Sequence, residues 1–397
     1  MSKEADPIVI TGGARTPMGS FQGVLADVAA PQLGGPTIRA ALTESAVTGD
    51  EVDEVLMGCV LPAGIGQAPA RQAAFAGGLP IGAPCTTVNK MCGSGMKTVM
   101  MAYDALSAGT SAIAVAGGME SMTNAPHLLP KMRGGLRLGH GQVKDHMFLD
   151  GLEDAYEPGK LMGVYAEDTA QHYQFTREAM DDFAIQSLKR AKTANEDGSF
   201  AAEMVPVTVR GRRGETIVGQ DEQPFSAQLE KIPQLRPAFA KDGSVTAANS
   251  SSISDGAAAV VMMRQSLAEA RGVTPRLRIV AHASHAHEPA WFTTAPVNAI
   301  AKVLDKAGWT AADVDLWEIN EAFAVVTMAA MREHDIPHDK VNVHGGACAL
   351  GHPVGASGTR IIVTLMNAME KYGLRRGVAS LCIGGGEATA VAVERVV

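Results

Sequence analysis

The stretch Val52-Asp53-Glu54-Val55 recurs 262 residues later as Val314-Asp315-Leu316-Trp317. Gly93-Ser94-Gly95 likewise returns as Ala356-Ser357-Gly358, at an offset of 263 residues, and both copies open a segment with helical spacing. Two matches in the same order and at nearly the same offset predict that the chain contains a duplicated unit.

A third match, after a short slip, aligns Ala114-Val115-Ala116-Gly117-Gly118 with Cys382-Ile383-Gly384-Gly385-Gly386. Short β-branched runs alternate with Ala-rich segments of helical spacing, which is typical of an α/β protein with buried parallel or mixed strands. The predicted strands are 8–11, 54–57, 111–116, 257–263, 277–282, 316–319 and 378–383, and the predicted helices are 29–45, 95–106, 177–196, 296–306, 322–334 and 358–371.

The segment 121–248 matches neither copy. It is rich in charged and turn-forming residues, and the spacing predicts one amphipathic helix over 177–196. We therefore predict an insertion that serves as a lid or binding module. The predicted domains are an N-terminal α/β half (1–120 with 249–275), an inserted loop domain (121–248) and a C-terminal α/β half (276–397).

Composition narrows the class of protein. Of the 397 residues 46% are hydrophobic and 19% are charged, which excludes a disordered chain. Acidic residues outnumber basic ones, 42 to 34, for a net charge of −8, which argues against binding to nucleic acid or to an anionic membrane. The first residues show neither an apolar signal region nor an Arg-rich transit pattern, and the five cysteines are scattered. We expect reduced thiols and a cytoplasmic location.

Cys92 lies in Asn-Lys-Met-Cys-Gly-Ser-Gly, where an apolar stretch ends and a helix begins. A thiol at a helix N-terminus meets free N–H groups and the positive end of the dipole, which lower its pKa and make it a candidate nucleophile. A buried structural cysteine in a Gly-rich turn is the alternative.

Three other residues end strands or open helices in the same manner. His352 lies on a Gly-Pro loop before the second copy of the helix, where it could exchange a proton with Cys92, or be merely exposed. Cys382 ends a strand before three glycines and is either catalytic or a buried strand cysteine. Asn320, followed by Glu321, could hold a water or cap a helix.

His282, His285 and His287 lack an acidic or cysteine partner at ligand spacing, so we expect no metal site.

Taken together, these motifs resemble the thiolase family, the acyl-CoA acetyltransferases, and the resemblance runs from Thr11 to the C-terminus. It implies two duplicated α/β halves in a layered αβαβα core, with the loop domain over the coenzyme A site, and a homotetramer. It implies that His352 deprotonates Cys92, that an acyl-Cys92 intermediate forms, and that Cys382 removes the α-proton of a second acetyl-CoA. Asn320, through a water, and His352 would form one oxyanion hole, and the N–H groups of Cys92 and Gly384 the other.

For coenzyme A, the resemblance points to contacts from five residues: Met162, Phe239, Ser251, Ala322 and Phe323. No bound cofactor or metal is implied, only acetyl-CoA and coenzyme A as substrates. The chain departs from the family pattern at Leu161, where short-chain biosynthetic members often carry His, and near Pro224, where a basic residue is common. Acyl-chain preference and the phosphate contacts are therefore left open.

The stretch 121–130 is similar to the acetoacetyl-CoA type, so we predict condensation of two acetyl-CoA molecules to acetoacetyl-CoA, or the reverse thiolysis. A degradative thiolase of broader chain length and a decarboxylating ketoacyl synthase are alternatives. A ketoacyl synthase usually pairs its cysteine with two histidines, or with His and Asn, whereas this chain has Cys382 at the second position. A non-catalytic acyl-CoA-binding protein is the alternative from another class.

Overall fold

The structure is a computed structural model that describes residues 6–211 and 214–396. Residues 1–5 and 397, the ends of the two predicted halves, lie outside the described residues, as do 212–213 of the predicted insertion. The strands are β1 Ile8–Arg15, β2 Gly19–Ser20, β3 Glu54–Gly58, β4 Cys85–Val88, β5 Ile113–Ser121, β6 His127–Leu128, β7 Lys144–Asp145, β8 Val207–Gly211, β9 Gly214–Val218, β10 Ser254–Arg264, β11 Leu277–Ala286, β12 Leu316–Ile319, β13 Arg376–Ile383 and β14 Glu387–Arg395. The helices are α1 Ala30–Glu44, α2 Pro69–Ala76, α3 Ser94–Ala108, α4 Met162–Tyr173, α5 Arg177–Glu196, α6 Gln223–Ser226, α7 Gln265–Ala270, α8 Ala295–Ala307, α9 Ala324–Glu333, α10 Ala347–Leu350 and α11 Ser357–Lys371.

The main sheet has the order β12-β13-β14-β11-β1-β10-β5-β3-β4, with β2 beside β10. Pairing is parallel between β3 and its neighbours β4 and β5 and between β12 and β13, and antiparallel elsewhere. Two similar halves therefore meet where β1 pairs with β11. Beyond β12, a parallel bridge from Trp317 to Val341 takes the place that β4 has beside β3.

A pair of β-bulges confirms the predicted duplication. In β1 the register with β10 shifts at Thr11, between Ile10 and Gly12. In β11 the register with β14 shifts at Val280, the corresponding place in the second half. Bulges are specific features of a strand rather than random defects, so a shared bulge is strong evidence that the halves are related.

The third sequence match is wrong by several residues. Met57 pairs with Gly117 in the first half, and Ile319, its counterpart at an offset of 262, pairs with Ser380 in the second. Gly117 therefore corresponds to Ser380. The glycines misled the alignment because Gly117 lies inside β5, whereas Gly385, with which it was matched, follows the end of β13.

The layers follow the predicted αβαβα order. Helices α3 and α11 lie between the two halves of the sheet, and a central cluster joins them to strands of both halves. Helices α1 and α2 cover the outer face of the first half, and α8 and α9 cover that of the second. The central layer brings the N-termini of α3 and α11 together.

Close contact between α3 and α11 depends on glycine. A Cβ built on Gly95 would lie 2.9 Å from the backbone nitrogen of Thr359, and one on Gly358 would lie 2.3 Å from that of Met96. Thr359 Oγ1 also donates a hydrogen bond to the carbonyl of Gly95, at 2.8 Å. These contacts determine how close the loop before α3 lies to the loop before α11.

Gly358→Ala is expected to lower the free energy of unfolding by about 3 kcal/mol, because the methyl group cannot fit without separating the helices. Urea unfolding measures this change. Gly82→Ala is a matched control, since a Cβ there meets nothing within 4 Å among the described residues. If the two variants are equally stable, the close helix contact does not exist.

The sequence missed several elements. Strand β14 was not predicted because its Ala-rich sequence has low strand propensity. Helix α4 was also missed, and helix α9 begins at Ala324 rather than at residue 322. The insertion thus holds α4 as well as α5, with two small hairpins, β6–β7 and β8–β9. Within 6–211 and 214–396, no helix has the length and apolar character needed to cross a membrane.

Candidate active site

Cys92 lies in a tight turn between β4 and α3. Met91 has a left-handed backbone (φ 48°), and Gly93 caps the helix. Ser94 Oγ accepts the N–H of Lys90 at 2.8 Å and donates to the carbonyl of Met91 at 2.6 Å. A Cβ on Gly93 would lie 2.3 Å from Ile383 Cδ1, so the turn lies directly against the end of β13.

The pKa of the Cys92 thiol differs from the prediction. Burial raises the pKa to about 11, although the N–H groups of Gly384 and of Cys92 itself, hydrogen-bonded to the sulfur, lower it. The expectation of a thiolate at rest, drawn from the helix N-terminus alone, is therefore wrong, because the loss of water outweighs these donors. The same two N–H groups therefore act on the Cys92 sulfur, and their role as an oxyanion hole stays a prediction.

His352 is buried on the loop between α10 and α11. Its Nδ1 lies 2.5 Å from Ser357 Oγ, and that hydroxyl donates to the carbonyl of Pro353 at 3.0 Å. With the hydroxyl donating to that carbonyl, Nδ1 carries the ring proton and Nε2 has a free lone pair. Burial, with the charge of Arg360, lowers the pKa of His352 to about 3, so the ring is neutral. Nε2 is buried and has no hydrogen-bond partner in the described part of the chain.

We expect alkylation of Cys92 by iodoacetamide to be slow at pH 7 and to accelerate as the pH rises above 9. The reason is that the thiolate is the reactive form, and burial raises the pKa of this thiol. Rates measured between pH 6 and 10.5, with the modified residue identified by mass spectrometry, test this. A plateau below pH 8 would show that the thiol is acidic instead.

Cys382 and Gly384 lie at the end of β13. Cys382 is fully buried opposite Ala388 of β14. Burial and the neighbouring Cys92 raise its pKa well above the ordinary value. Gly384 opens the turn to β14, in which Gly385 and Gly386 adopt positive φ (94° and 87°).

Asn320 follows β12, and its backbone N–H donates to the carbonyl of Ser380 in β13, at 3.0 Å. Its Oδ1 and Nδ2 are buried, and neither has a hydrogen-bond partner among the residues that the structure describes. The capping alternative is wrong, because Phe323 is the N-cap of α9. Burying an unpaired amide is costly, so Asn320 and His352 Nε2 both indicate a site that a ligand completes.

Four of the residues predicted to contact coenzyme A, Met162, Phe239, Ala322 and Phe323, lie in one apolar cluster with Cys382. The Phe239 ring stands edge-on to that of Phe323, with centroids 6.0 Å apart.

The fifth, Ser251, joins them by donating its backbone N–H to the carbonyl of Ala322, at 2.9 Å. A cavity of about 330 Å³ is lined by none of the five, but in part by Lys231, Leu235 and Ala248, which precede Phe239 and Ser251 along the chain. Pro224 is buried and Leu161 precedes α4. Neither side chain is ionisable, so neither supplies a charge to this region.

Glu120 is a buried residue near the site that the sequence did not reveal. Its carboxylate accepts the N–H groups of Val60 (2.9 Å), Leu61 (3.1 Å) and Gly355 (2.9 Å), and thus joins the loop after β3 to the loop of His352. Burial raises its pKa to about 7 against the effect of these donors. A lone acidic residue inside the apolar run of β5 was the signal that could have found it.

Two of the three clustered histidines make other contacts. His282 Nε2 lies 3.0 Å from Asp104 Oδ1, and His287 Nε2 lies 2.7 Å from the carbonyl of Trp291. Across the described ranges, no group of three or more His, Cys, Asp and Glu residues lies close enough together to hold a metal ion.

Two family models match almost the whole chain. The model described as "Thiolase, N-terminal domain" matches residues 8–266, and "Thiolase, C-terminal domain" matches residues 273–395. The chain therefore belongs to the thiolase family.

Individual relatives are similar over their full length. An acetyl-CoA acetyltransferase of Cupriavidus necator is 47% identical over 390 residues, covering 98% of this chain and 99% of the relative. A cytosolic acetyl-CoA acetyltransferase of Mus musculus is 46% identical over 398 residues, covering 100% of both. The crystal structure of the Bacillus anthracis acetyl-CoA acetyltransferase superposes with a TM-score of 0.96 at 39% identity, covering 99% of each chain.

Proposed function

We propose that this member of the thiolase family is an acetyl-CoA C-acetyltransferase. It condenses two acetyl-CoA molecules to acetoacetyl-CoA and coenzyme A, and in reverse cleaves acetoacetyl-CoA with coenzyme A. The carrying observation is that the turn of Cys92 lies against the strand end of Cys382, where a Cβ on Gly93 would be 2.3 Å from Ile383 Cδ1, in a chain 46–47% identical to relatives of that name. Coenzyme A and acetyl-CoA are substrates, and neither a bound cofactor nor a metal ion has a role.

In the first half-reaction, Cys92 attacks the acetyl-CoA thioester. His352 Nε2, which carries the free lone pair of the neutral ring, accepts the thiol proton as the new C–S bond forms. Ser357 keeps the ring in the tautomer that this step needs. Coenzyme A leaves as a thiolate, and an acetyl group remains on Cys92.

In the second half-reaction, Cys382 is the base. It is a neutral thiol at rest, because burial raises its pKa. Its proton goes to the departing coenzyme A thiolate, which leaves Cys382 as a thiolate that can remove an α-proton from the second acetyl-CoA. The resulting carbanion attacks acetyl-Cys92, and the Cys92 sulfur recovers its proton from His352. All protons are then balanced.

Two sets of donors stabilise the oxyanions of these steps. The N–H groups of Cys92 and Gly384 meet at the Cys92 sulfur and suit the tetrahedral carbon that forms there. Asn320, through a water, and His352 stabilise the enolate of the second acetyl-CoA by donating hydrogen bonds to its oxygen. Both have buried polar atoms without a partner in the described residues, as expected of groups that await a ligand.

Coenzyme A lies along the insertion in this proposal. The apolar cluster of Met162, Phe239, Ala322 and Phe323 contacts the pantetheine, and Ser251 lies beside it. The predicted loop domain, 121–248, supplies two of these residues and covers the site.

The protein acts as a homotetramer in the cytoplasm. Exposed apolar side chains between residues 129 and 143 support an oligomer: Leu129, Met132, Leu136, Leu138 and Val143. The relative from Mus musculus is named as cytosolic, which supports the location.

Thiolysis of 3-ketoacyl-CoA substrates of increasing chain length tests this function. We expect acetoacetyl-CoA to be cleaved fastest, with two acetyl-CoA formed per substrate. Faster cleavage of long chains would favour the broader degradative thiolase. Condensation that requires malonyl-CoA and releases carbon dioxide would favour a ketoacyl synthase, and binding of acyl-CoA without turnover would favour a non-catalytic protein.

A further inference from the structure

Lys90 and Glu387 form an ion pair between the two turns that supply the N–H groups at Cys92. Lys90 lies two residues before Cys92, and Glu387 lies three residues after Gly384. The two side chains are 24% and 37% exposed, so the pair is largely sheltered but not in the core.

The backbones of both partners are fixed. Lys90 donates its N–H to Ser94 Oγ at 2.8 Å, and its carbonyl accepts the N–H of Gly93 at 3.0 Å. Glu387 begins β14 and lies in register between Ile383 of β13 and Ala286 of β11. The ion pair therefore joins two ordered backbone segments, and its loss would change how they are held together.

The turn that carries Gly384 has few side-chain contacts, and its last glycine is held by backbone, because the carbonyl of Gly386 accepts the N–H of His287 at 2.8 Å. A Cβ on Gly384 would first meet Met162 Sδ, at 3.5 Å, and one on Gly385 would meet nothing within 4 Å in the described part of the chain. With positive φ at Gly385 and Gly386, the turn is not fixed by side-chain packing. The contact of Gly93 with Ile383 and the ion pair are what connect it to the Cys92 turn.

We propose that Lys90 and Glu387 are positioning residues, which hold the Gly384 N–H against the Cys92 sulfur during acyl transfer. This rests on the proposed function, in which Cys92 carries the acyl group. A purely electrostatic role would act differently, because the charge of Lys90 favours the Cys92 thiolate and that of Glu387 opposes it. The two mechanisms therefore predict different signs for single substitutions.

The test compares Lys90→Met, Glu387→Gln and the charge swap that combines Lys90→Glu with Glu387→Lys. Each single variant is expected to lower kcat for thiolysis about fivefold, with KM within about twofold, because misplacing a donor costs rate rather than substrate binding. Both should also slow the alkylation of Cys92 by iodoacetamide. The charge swap should recover most of both rates.

Glu51→Gln is the matched control, since Glu51 pairs with Arg271 at nearly the same exposure (36% and 23%) far from the site in sequence and structure. It should leave both rates unchanged. The proposal is overturned if the single variants change alkylation in opposite directions, if both match the parent protein, or if the swap recovers neither rate. Absence of thiolysis in the parent protein would refute the proposed function instead, and the alkylation rates would still test the position of Gly384.

Discussion

Cys92→Ser is expected to lower the rate of thiolysis by at least about 10³-fold. A hydroxyl is a much weaker acid and nucleophile than a thiol, and His352, neutral with a pKa of about 3, is too weak a base to compensate. KM for acetoacetyl-CoA should change little, since the apolar cluster around Phe239 and Phe323 is untouched. Steady-state kinetics with coenzyme A at saturation measures the change.

Cys85→Ser is the control for this variant. Cys85 is another partly buried thiol, seven residues earlier, and it donates a hydrogen bond to the carbonyl of Ala83. It should retain activity. Equal thiolysis by the parent protein and the Cys92→Ser variant would mean that Cys92 is not the nucleophile.

Cys382→Ser is expected to separate the two half-reactions. Condensation and thiolysis should fall by about 10³-fold, because the buried hydroxyl cannot act as the base that removes an α-proton. Acetylation of Cys92 by acetyl-CoA should persist, since the nucleophile, His352 and the N–H groups remain. Exchange of deuterium into the methyl group of acetyl-CoA, followed by mass spectrometry, measures the lost step.

The matched variant is Cys348→Ser, because Cys348 is also a buried free thiol, with its sulfur near the carbonyl of Glu321. It should keep proton exchange if its stability is maintained. A Cys382→Ser variant that exchanges deuterium at the parent rate would contradict the assignment of the base.

The fold was predictable because the duplication leaves marks in the sequence. Gly95 and Gly358 recur at one offset, since the same close helix contact is required of each copy. The shared bulges at Thr11 and Val280 could not be predicted, because a bulge is set by pairing between strands distant in sequence. The Ala-rich β14 was hidden for a similar reason, since its neighbours rather than its own residues determine its conformation.

The sequence marks candidate site residues, but it does not reveal their electrostatics. Cys92, His352 and Cys382 each stand beside glycines that end a strand or open a helix, which is visible in sequence. The raised pKa of Cys92 could not be predicted, because burial depends on segments far along the chain. The contacts of Glu120 and the Lys90–Glu387 pair could not be predicted for the same reason, since the partners lie in other elements.

The central claim is that acyl transfer passes through Cys92. Brief incubation with labelled acetyl-CoA, acid quenching and peptide mapping by mass spectrometry test it most directly. We predict one acetyl group per chain, on Cys92, which disappears when coenzyme A is added in excess before quenching. An unmodified Cys92, or an acetyl group on another residue that coenzyme A removes equally fast, would contradict the account.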